Sequence, residues 1–412
     1  MSDLKKIYAA LDIGNNYIKG VVAEVFENKI FVLASSMVTS DGIVNGVIES
    51  EKDVIKKIKE VIKDLSSMVG VEINNVILGV LAFDVSMTNL YGETYITSDD
   101  SVIKAEDVQR SIVNATKKFK INGNEIVNAV PLRYNIDGYE FNDALGCRGS
   151  KLGVDLLVLS VPAKIIYPYL TVVEKSGVNV LDICLSPLAD KFEILSQVDC
   201  DSSLIINLGF SHTSMIINSD SKLKGIATFS IGLKKLVDSL VAKFGIHPVH
   251  ALDFINNYGV SDYDVTGDKI KLKKVDNEEC EFDLLKLINH TEKMMLSLLV
   301  SLQDKVNSNK LDFYDKIIVT GGITEMIGFE SLCNQVFDNG CEIYRPKYIG
   351  GRNSGYTTAF GLIRYIVNKN EVRGRVESSI NSDLQLKIST PKKKVLNLPE
   401  DSVLGKLIEY FF

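Results

Sequence analysis

The stretch LDIGNNYIKGVV at residues 11–22 decides the fold, because an apolar strand breaks there at a glycine turn and then resumes as a second apolar strand. The stretch INLGFSHTSMII at residues 206–217 repeats this pattern. A third apolar run, IIVTGGI at residues 317–323, contains two adjacent glycines. Glycine lets the backbone approach an anion closely, since no Cβ atom stands in the way. The sequence therefore predicts two hairpins that can bind phosphate and a later strand that ends at a Gly-Gly turn.

This order of elements resembles the actin-like (ribonuclease H-like) nucleotide-binding fold. In that fold two hairpins bind phosphates from opposite sides, and the Gly-Gly turn lies against the nucleoside. The resemblance implies a two-domain α/β protein with ATP and Mg²⁺ between the domains. Residues 84–164 interrupt the first domain with a β-rich pattern and one helix, which predicts an inserted α+β subdomain.

The chain is accordingly divided into two domains, an insertion and a terminal segment. The expected parts are a first domain (1–83, 165–200 and 350–367), the inserted subdomain (84–164), a second domain (201–245 and 310–349), its outer lobe (246–309), a flexible linker (368–399) and a terminal amphipathic helix (400–412).

Length and composition set the class of protein. A chain of 412 residues with 46% apolar and 24% charged residues can bury more than one core. The net charge of −7 argues against a nucleic-acid partner. Six cysteines without Cys-x-x-Cys spacing and four histidines predict free or buried thiols and no metal cluster.

The first six residues, MSDLKK, are mostly polar, and the sequence has no run of about 18 apolar residues. We therefore expect a cytoplasmic protein that meets a membrane from one side only.

The first hairpin holds five candidate ligands for nucleotide. Asp12 can hold a water on Mg²⁺, which prefers oxygen ligands and keeps several waters. Gly14, Asn15 and Asn16 form the turn, and Lys19 is within reach of a phosphate. The alternative is an ordinary hairpin with an aspartate at a strand end, because short glycine motifs are weak signals.

The second hairpin departs from the actin-like pattern. Asn207 stands where this architecture usually has an aspartate, so it carries no negative charge that could orient a metal-bound water. We therefore expect weak or absent hydrolysis, with no metabolic activity, although backbone donors can still bind phosphate. The remaining candidates for nucleotide binding on this side are Gly209, Thr213, Gly232, Gly321, Gly322 and Met326. His212 is expected to face solvent in the turn, with donation to a phosphate as the alternative. For the hairpin as a whole, the alternative is a purely structural role.

Further segments resemble the FtsA family of bacterial cell-division proteins. They are SDGIVNGVI at 40–48, YNIDG at 134–138, DALGCRG at 143–149, FSIG at 229–232 and IGG at 349–351. The resemblance covers roughly residues 7–367, and its inserted subdomain is the one usually called 1C. It implies ATP-dependent head-to-tail polymers, docking of the FtsZ C-terminal peptide on residues 246–309, and contact with other divisome proteins at the division site.

The terminal segment is typical of a membrane-binding helix. Its apolar residues fall at helical spacing on one stripe, at Val403, Leu404, Leu407, Ile408, Phe411 and Phe412. Three lysines at 392–394 can meet anionic lipid headgroups. We expect a peripheral protein on the cytoplasmic face of the membrane, although packing of this helix on the globular body is the alternative.

Three other functions remain open. A pilus-assembly scaffold like PilM shares the inserted subdomain but lacks the terminal helix. A small-molecule kinase or phosphatase of the actin-like superfamily needs a catalytic carboxylate facing the cleft. A scaffold with an empty cleft binds ATP only at millimolar affinity or more weakly.

Overall fold

The computed structural model describes residues 6–117, 119, 123–220, 222–260, 265–308, 314–337, 340–374 and 378–380. The expected membrane-binding helix at 400–412 lies outside these residues, as does most of the expected linker.

Strands and helices alternate along the chain in the order of an α/β protein with an insertion. The strands are β1 (Lys6–Ile13), β2 (Tyr17–Phe26), β3 (Lys29–Thr39), β4 (Ile43–Val44), β5 (Val47–Ile48), β6 (Asn75–Val80), β7 (Ser86–Tyr95), β8 (Asn124–Ile136), β9 (Tyr139–Phe141), β10 (Lys151–Pro162), β11 (Asn179–Leu185), β12 (Ser203–Leu208), β13 (Thr213–Ser219), β14 (Lys222–Phe229), β15 (Lys269–Lys273), β16 (Glu279–Asp283), β17 (Lys316–Thr320) and β18 (Glu342–Ile343). The helices are α1 (Glu51–Val69), α2 (Ala105–Thr116), α3 (Ala163–Lys175), α4 (Ser186–Leu195), α5 (Lys234–Phe244), α6 (Pro248–Tyr258), α7 (Leu284–Ser308), α8 (Phe329–Val336) and α9 (Thr357–Arg373), with 3₁₀ turns at Gly322–Glu325 and Ser354–Tyr356.

Two five-stranded sheets share one topology. The first has the order β11-β6-β1-β2-β3, and the second has the order β14-β13-β12-β17-β18. In each sheet the central strand pairs antiparallel with the next strand in sequence and parallel with a later one, namely β1 with β2 and β6, and β12 with β13 and β17. This duplication places both glycine turns at the ends of central strands, as the sequence predicts.

The segment between β6 and α3 folds as a separate layer. Its four-stranded sheet has the order β7-β10-β8-β9, and α2 packs on it around a small core that contains Val108, Tyr134 and Leu152. The turn between β8 and β9 lies at Asp137 and Gly138, both with positive φ. The predicted inserted α+β unit is therefore present.

Helices α4 and α9 pack together between the two large sheets. Their backbones approach so closely that a Cβ atom on Gly361 would lie 2.0 Å from the carbonyl oxygen of Ala189. Only glycine fits at such a distance. The contact fixes the residues that α4 and the start of α9 present to the cleft.

The ordered chain extends past its expected end at residue 367. Helix α9 continues to Arg373, because its polar residues have partners: Lys369 pairs with Asp182 at 2.6 Å. Ser379 then accepts a hydrogen bond from the backbone of Ala9 at 2.8 Å. The predicted start of the linker at residue 368 is therefore too early.

Two further observations concern the cysteines and the membrane. Cys333 and Cys341 pair as a disulfide between α8 and the start of β18. The expectation of free or buried thiols is therefore wrong for these two cysteines and holds for the other four. Among the described residues, no helix has the length and apolar character needed to cross a membrane.

Candidate functional site

A cavity of about 410 Å³ lies where the two hairpins and the Gly-Gly turn meet. A volume of this size is within the range of small-molecule and cofactor sites. Nine of the twelve predicted nucleotide-binding residues line it: Asp12, Gly14, Asn15, Asn16, Lys19, Asn207, Gly209, Gly321 and Gly322. The structure thus brings together residues that are more than 300 positions apart in sequence.

The two hairpin turns have the same hydrogen-bond pattern. The backbone N–H of Gly14 donates to the carbonyl of Tyr17 at 3.0 Å, and that of Gly209 donates to the carbonyl of His212 at 2.9 Å. A Cβ atom would lie 2.9 Å from the same acceptor at Gly14 and 2.7 Å from it at Gly209. Both glycines are therefore required by the turn itself, whether or not a ligand binds there.

Three predicted residues stand outside the lining of the cavity. The Thr213 hydroxyl is fully buried and donates to the carbonyl of Ile231 at 2.7 Å. Gly232 packs against the second turn, where a Cβ atom would lie 2.6 Å from the carbonyl oxygen of Gly209. Met326 is buried in the core of the second domain. Thr213 and Gly232 thus shape the second hairpin rather than face the cleft.

Asp12 and Lys19 lie opposite each other on β1 and β2. The Lys19 ammonium is 3.4 Å from Asp12 Oδ2, and both side chains are largely buried. A pair of this kind keeps one negative and one positive group at the same wall of the cavity. Asp12 is the residue that could hold a hydrated Mg²⁺, and Lys19 is the one that could approach a phosphate.

The cavity also contains a carboxylate that the sequence interpretation missed. Asp190 on α4 is fully buried and lines the cavity. Its Oδ2 accepts a hydrogen bond from Asn207 Nδ2 at 2.7 Å, and its Oδ1 accepts one from the Thr358 hydroxyl at 2.7 Å. Burial raises the pKa of Asp190 to about 7, and the two hydrogen bonds oppose this shift.

Asp190 was missed because its partners are 17 and 168 positions away in sequence. One local signal existed. Asp190 lies on the buried face of a short helix, among Leu188, Ala189 and Ile194, and an aspartate is rarely placed there without a partner.

His212 does not face solvent as expected. It is 8% exposed, and its Nδ1 lies 3.2 Å from Asn15 Nδ2 of the first hairpin. Its ring packs edge-on against Phe83, with 4.5 Å between centroids, and burial lowers its pKa. Asn15 also accepts a hydrogen bond from the backbone of Gly46 at 2.6 Å. His212 therefore joins the two hairpins directly.

Acidic side chains outnumber basic ones at the cavity wall. Among the described residues, Asp12, Asp190 and Glu325 line it together with Lys19. Glu325 accepts a hydrogen bond from the backbone N–H of Ser354 at 2.8 Å. Asp12 is paired with Lys19, and Glu325 with Arg345 at 3.7 Å. The carboxylate oxygens at this wall suit a triphosphate that carries a divalent cation. The described residues contain no cluster of three or more His, Cys, Asp or Glu side chains that could hold a metal alone.

The Gly-Gly turn at Gly321 and Gly322 lines the cavity and leaves open space at Gly322. Gly321 has a φ of 102°, and a Cβ atom there would lie 2.4 Å from Asn207 Oδ1, whereas a Cβ atom on Gly322 would meet nothing within 4 Å. Gly321 is thus tied to the second hairpin, and Gly322 leaves an open surface. Two glycine turns on the cavity wall, an oxygen ligand for Mg²⁺ and this open surface together fit a Mg²⁺–nucleotide complex.

Comparison with solved structures identifies the fold. The PilM–PilN type IV pilus biogenesis complex superposes with a TM-score of 0.60 at 12% identity, over 86% of this chain and 97% of that one. The ethanolamine utilization protein EutJ from Carboxydothermus hydrogenoformans superposes with a TM-score of 0.52 at 10% identity, over 89% of this chain and 91% of that one. The fold is that of the actin-like ATPases, as the sequence predicted.

Within this class, the sequence is similar to FtsA. It is 24% identical to the cell division protein FtsA of Bacillus subtilis (strain 168), over 90% of this chain and 86% of that protein. It is 23% identical to FtsA of Enterococcus faecalis (strain ATCC 700802 / V583), over 89% and 84% respectively. Residues 84–160 match the SHS2 domain inserted in FtsA. The resemblance to FtsA inferred from the motifs is confirmed.

Proposed function

We propose that this chain acts in bacterial cell division as an FtsA-type protein, which binds ATP, polymerises and tethers the FtsZ ring to the inner face of the cytoplasmic membrane. The observation that carries the proposal is the combination of similarity to FtsA along the whole body with the inserted SHS2 domain. The likeness to the pilus complex is one of fold alone, because the two sequences are only 12% identical.

ATP with Mg²⁺ is proposed to occupy the cavity between the hairpins. The turns at 14–17 and 209–212 would direct donors at the phosphates, with Lys19 beside them. Asp12 would hold a water of the Mg²⁺, and the open surface at Gly322 would accept the nucleoside. The positive charge of the cation would interact favourably with the carboxylates that line the cavity. We propose that the bound nucleotide controls assembly, with slow or no hydrolysis.

Polymers and partners are proposed to use the surfaces outside the cleft. The inserted subdomain would contact the next copy of the chain. The lobe built from α6, the β15–β16 hairpin and α7 would receive the FtsZ C-terminal peptide, and other divisome proteins would join the assembly at the division site.

We propose that residues 400–412 form an amphipathic helix that attaches the protein to the membrane. Each of the six large apolar side chains would contribute roughly 1.5–3 kcal/mol on burial, but ordering the segment opposes much of this. A single helix of this kind therefore binds lipid reversibly. Many helices on one polymer would bind together with a much higher effective affinity, which would couple polymerisation to membrane attachment.

Co-sedimentation with liposomes tests the tether directly. We expect the full chain to sediment with anionic vesicles and a chain ending at residue 399 to stay soluble and folded. The double variant Leu407→Glu/Phe411→Glu should behave like the truncated chain. Lys406→Gln/Glu409→Gln, a charge-neutral change on the polar face of the same helix, serves as the matched control and should sediment normally. Unchanged sedimentation of the truncated chain would reject the tether.

Recruitment of FtsZ is tested by capture on an immobilised peptide with the sequence of the FtsZ C-terminus. The chain should be retained by this peptide and not by a scrambled peptide. Capture is measured with and without ATP, because Leu252 and Asn256 of α6 in the proposed docking lobe also line the cavity. Equal retention on both peptides would remove FtsZ from the proposal.

A further inference from the structure

The cleft holds an acid–amide pair, Asp190 and Asn207, whose arrangement is not that of the usual second hairpin. The residue on the strand, Asn207, is an amide where the actin-like pattern has an aspartate. The residue on the helix, Asp190, is an acid, and the two side chains are hydrogen-bonded at 2.7 Å. The pair therefore has one carboxyl group, which lies on α4 instead of β12.

We propose that Asp190 is the second acidic positioning residue of the cleft, which supplies from α4 the carboxylate that residue 207 lacks and orients the hydrated Mg²⁺ of the bound nucleotide. This inference rests on the proposed function, since it concerns the same Mg²⁺–nucleotide complex. If Asp190 has this role, the affinity for nucleotide in the presence of Mg²⁺ should depend on its carboxylate.

The orientation of Asp190 supports this role. Each carboxylate oxygen accepts one hydrogen bond, from Asn207 and from Thr358, so the group cannot rotate freely. A carboxylate oxygen has two acceptor sites, and each oxygen therefore keeps capacity for a further donor such as a metal-bound water. The close packing of α9 on α4 at Gly361 holds Thr358 in place.

The contacts of Asn207 explain why this position is an amide here. Its Nδ2 donates to Asp190, and its Oδ1 lies against the turn at Gly321. An aspartate at 207 would place two carboxylates at 2.7 Å from one another, and two such groups cannot both ionise. The site therefore accommodates one acid and one amide, in either order.

The acid and the amide should therefore be exchangeable between positions 190 and 207. Asp190→Asn removes the charge while retaining an acceptor for Asn207 and a donor for the Thr358 hydroxyl, which can also accept. Asn207→Asp creates the repelling pair. The double variant Asp190→Asn/Asn207→Asp restores one acid beside one amide, with the charge on the strand.

The experiment measures ATP affinity of the full chain with Mg²⁺ and with EDTA, using a fluorescent ATP analogue. The readout is the ratio of the two affinities. Asp190→Asn should lose about 10- to 100-fold of the Mg²⁺ enhancement, as is typical when a partner of a metal's coordination shell is removed. The double exchange should recover most of it. Asp238→Asn, which removes an exposed carboxylate on α5, is the matched control and should match the wild type.

Thermal unfolding without nucleotide provides a second readout. Asn207→Asp should lower the unfolding temperature at pH 8, and the double exchange should restore it. If the wild type binds ATP with a clear Mg²⁺ enhancement and Asp190→Asn keeps that enhancement, the role of Asp190 is wrong while ATP binding stands. If the wild type binds no ATP in either condition, the proposed nucleotide function fails and the role of Asp190 fails with it.

Discussion

Asp190→Asn should make the stability of the ligand-free protein less dependent on pH. Burial raises the pKa of Asp190 from its ordinary value of 3.8 to about 7. For an acid with a raised folded-state pKa, the contribution to stability is present below the unfolded pKa and is lost as the pH rises towards the folded pKa. The wild type should therefore lose stability between about pH 4 and pH 7 through this one group.

The size of the effect follows from the shift. A change of about three pKa units corresponds to roughly 4 kcal/mol at neutral pH, since each unit is worth about 1.4 kcal/mol. Of this, roughly 2–3 kcal/mol falls between pH 5 and pH 8. Asp12 opposes ionisation of Asp190, and Lys19, Asn207 and Thr358 favour it. The asparagine variant keeps these neighbours but has no proton to lose.

Urea unfolding at several pH values between 5 and 8, without nucleotide or Mg²⁺, measures this difference. The free energy of unfolding of Asp190→Asn minus that of the wild type should increase by roughly 2–3 kcal/mol across the range. Changes in packing or hydrogen bonding caused by the substitution do not depend on pH. They are therefore mostly included in the stability difference between variant and wild type at pH 5, which serves as the baseline. A difference that stays constant from pH 5 to pH 8 would show that the pKa of Asp190 is not raised in the folded protein.

Three other predictions concern residues around the cleft. Gly361→Ala should destabilise the protein by about 1–3 kcal/mol or prevent folding, because the added Cβ atom would overlap the Ala189 carbonyl, and unchanged urea unfolding would contradict this. Thr213→Val should cost about 1–2 kcal/mol by leaving the Ile231 carbonyl without its donor, whereas Thr213→Ser should cost less; equal losses would contradict the hydrogen bond. His212→Ala should speed amide hydrogen exchange in both hairpin turns, since the His212 ring contacts Asn15 of the first hairpin and Phe83 beside it. Faster exchange in the second turn alone would show that the ring does not stabilise the first hairpin.

Local patterns made the hairpins and the insertion predictable. A glycine between two apolar strands signals a tight turn within about a dozen residues, so the sequences at 11–22 and 206–217 were sufficient. The inserted subdomain was visible because its strand-rich pattern interrupts a helix–strand alternation. The hairpin turned at Asp137 and Gly138 was likewise set by its own residues.

Long-range contacts account for what the sequence did not reveal. Asp190 is held in the cavity by hydrogen bonds from Asn207 and Thr358, which belong to other elements of the fold. His212 is buried only because Phe83 and Asn15 come from the opposite side of the cleft. Thr213 and Gly232 were predicted to bind nucleotide, but Thr213 donates to the Ile231 carbonyl and Gly232 packs against the second turn.

The end of α9 shows the same limitation in another form. Residues after 367 are rich in Lys, Asn and Glu, and their composition alone favours a linker. Lys369 is nevertheless held by Asp182, and Asn370 donates to the buried Tyr8 hydroxyl at 3.2 Å. Polar residues with partners on a neighbouring strand can continue a helix that composition would end.

A crystal structure of the chain with Mg²⁺ and a non-hydrolysable ATP analogue would show directly whether nucleotide binds in the cleft. We expect a single nucleotide whose phosphates lie between the turns at 14–17 and 209–212, with the Mg²⁺ facing Asp12 and the nucleoside on Gly322. A structure in which the analogue is absent from this cleft at saturating concentration, or binds elsewhere on the protein, would contradict this expectation.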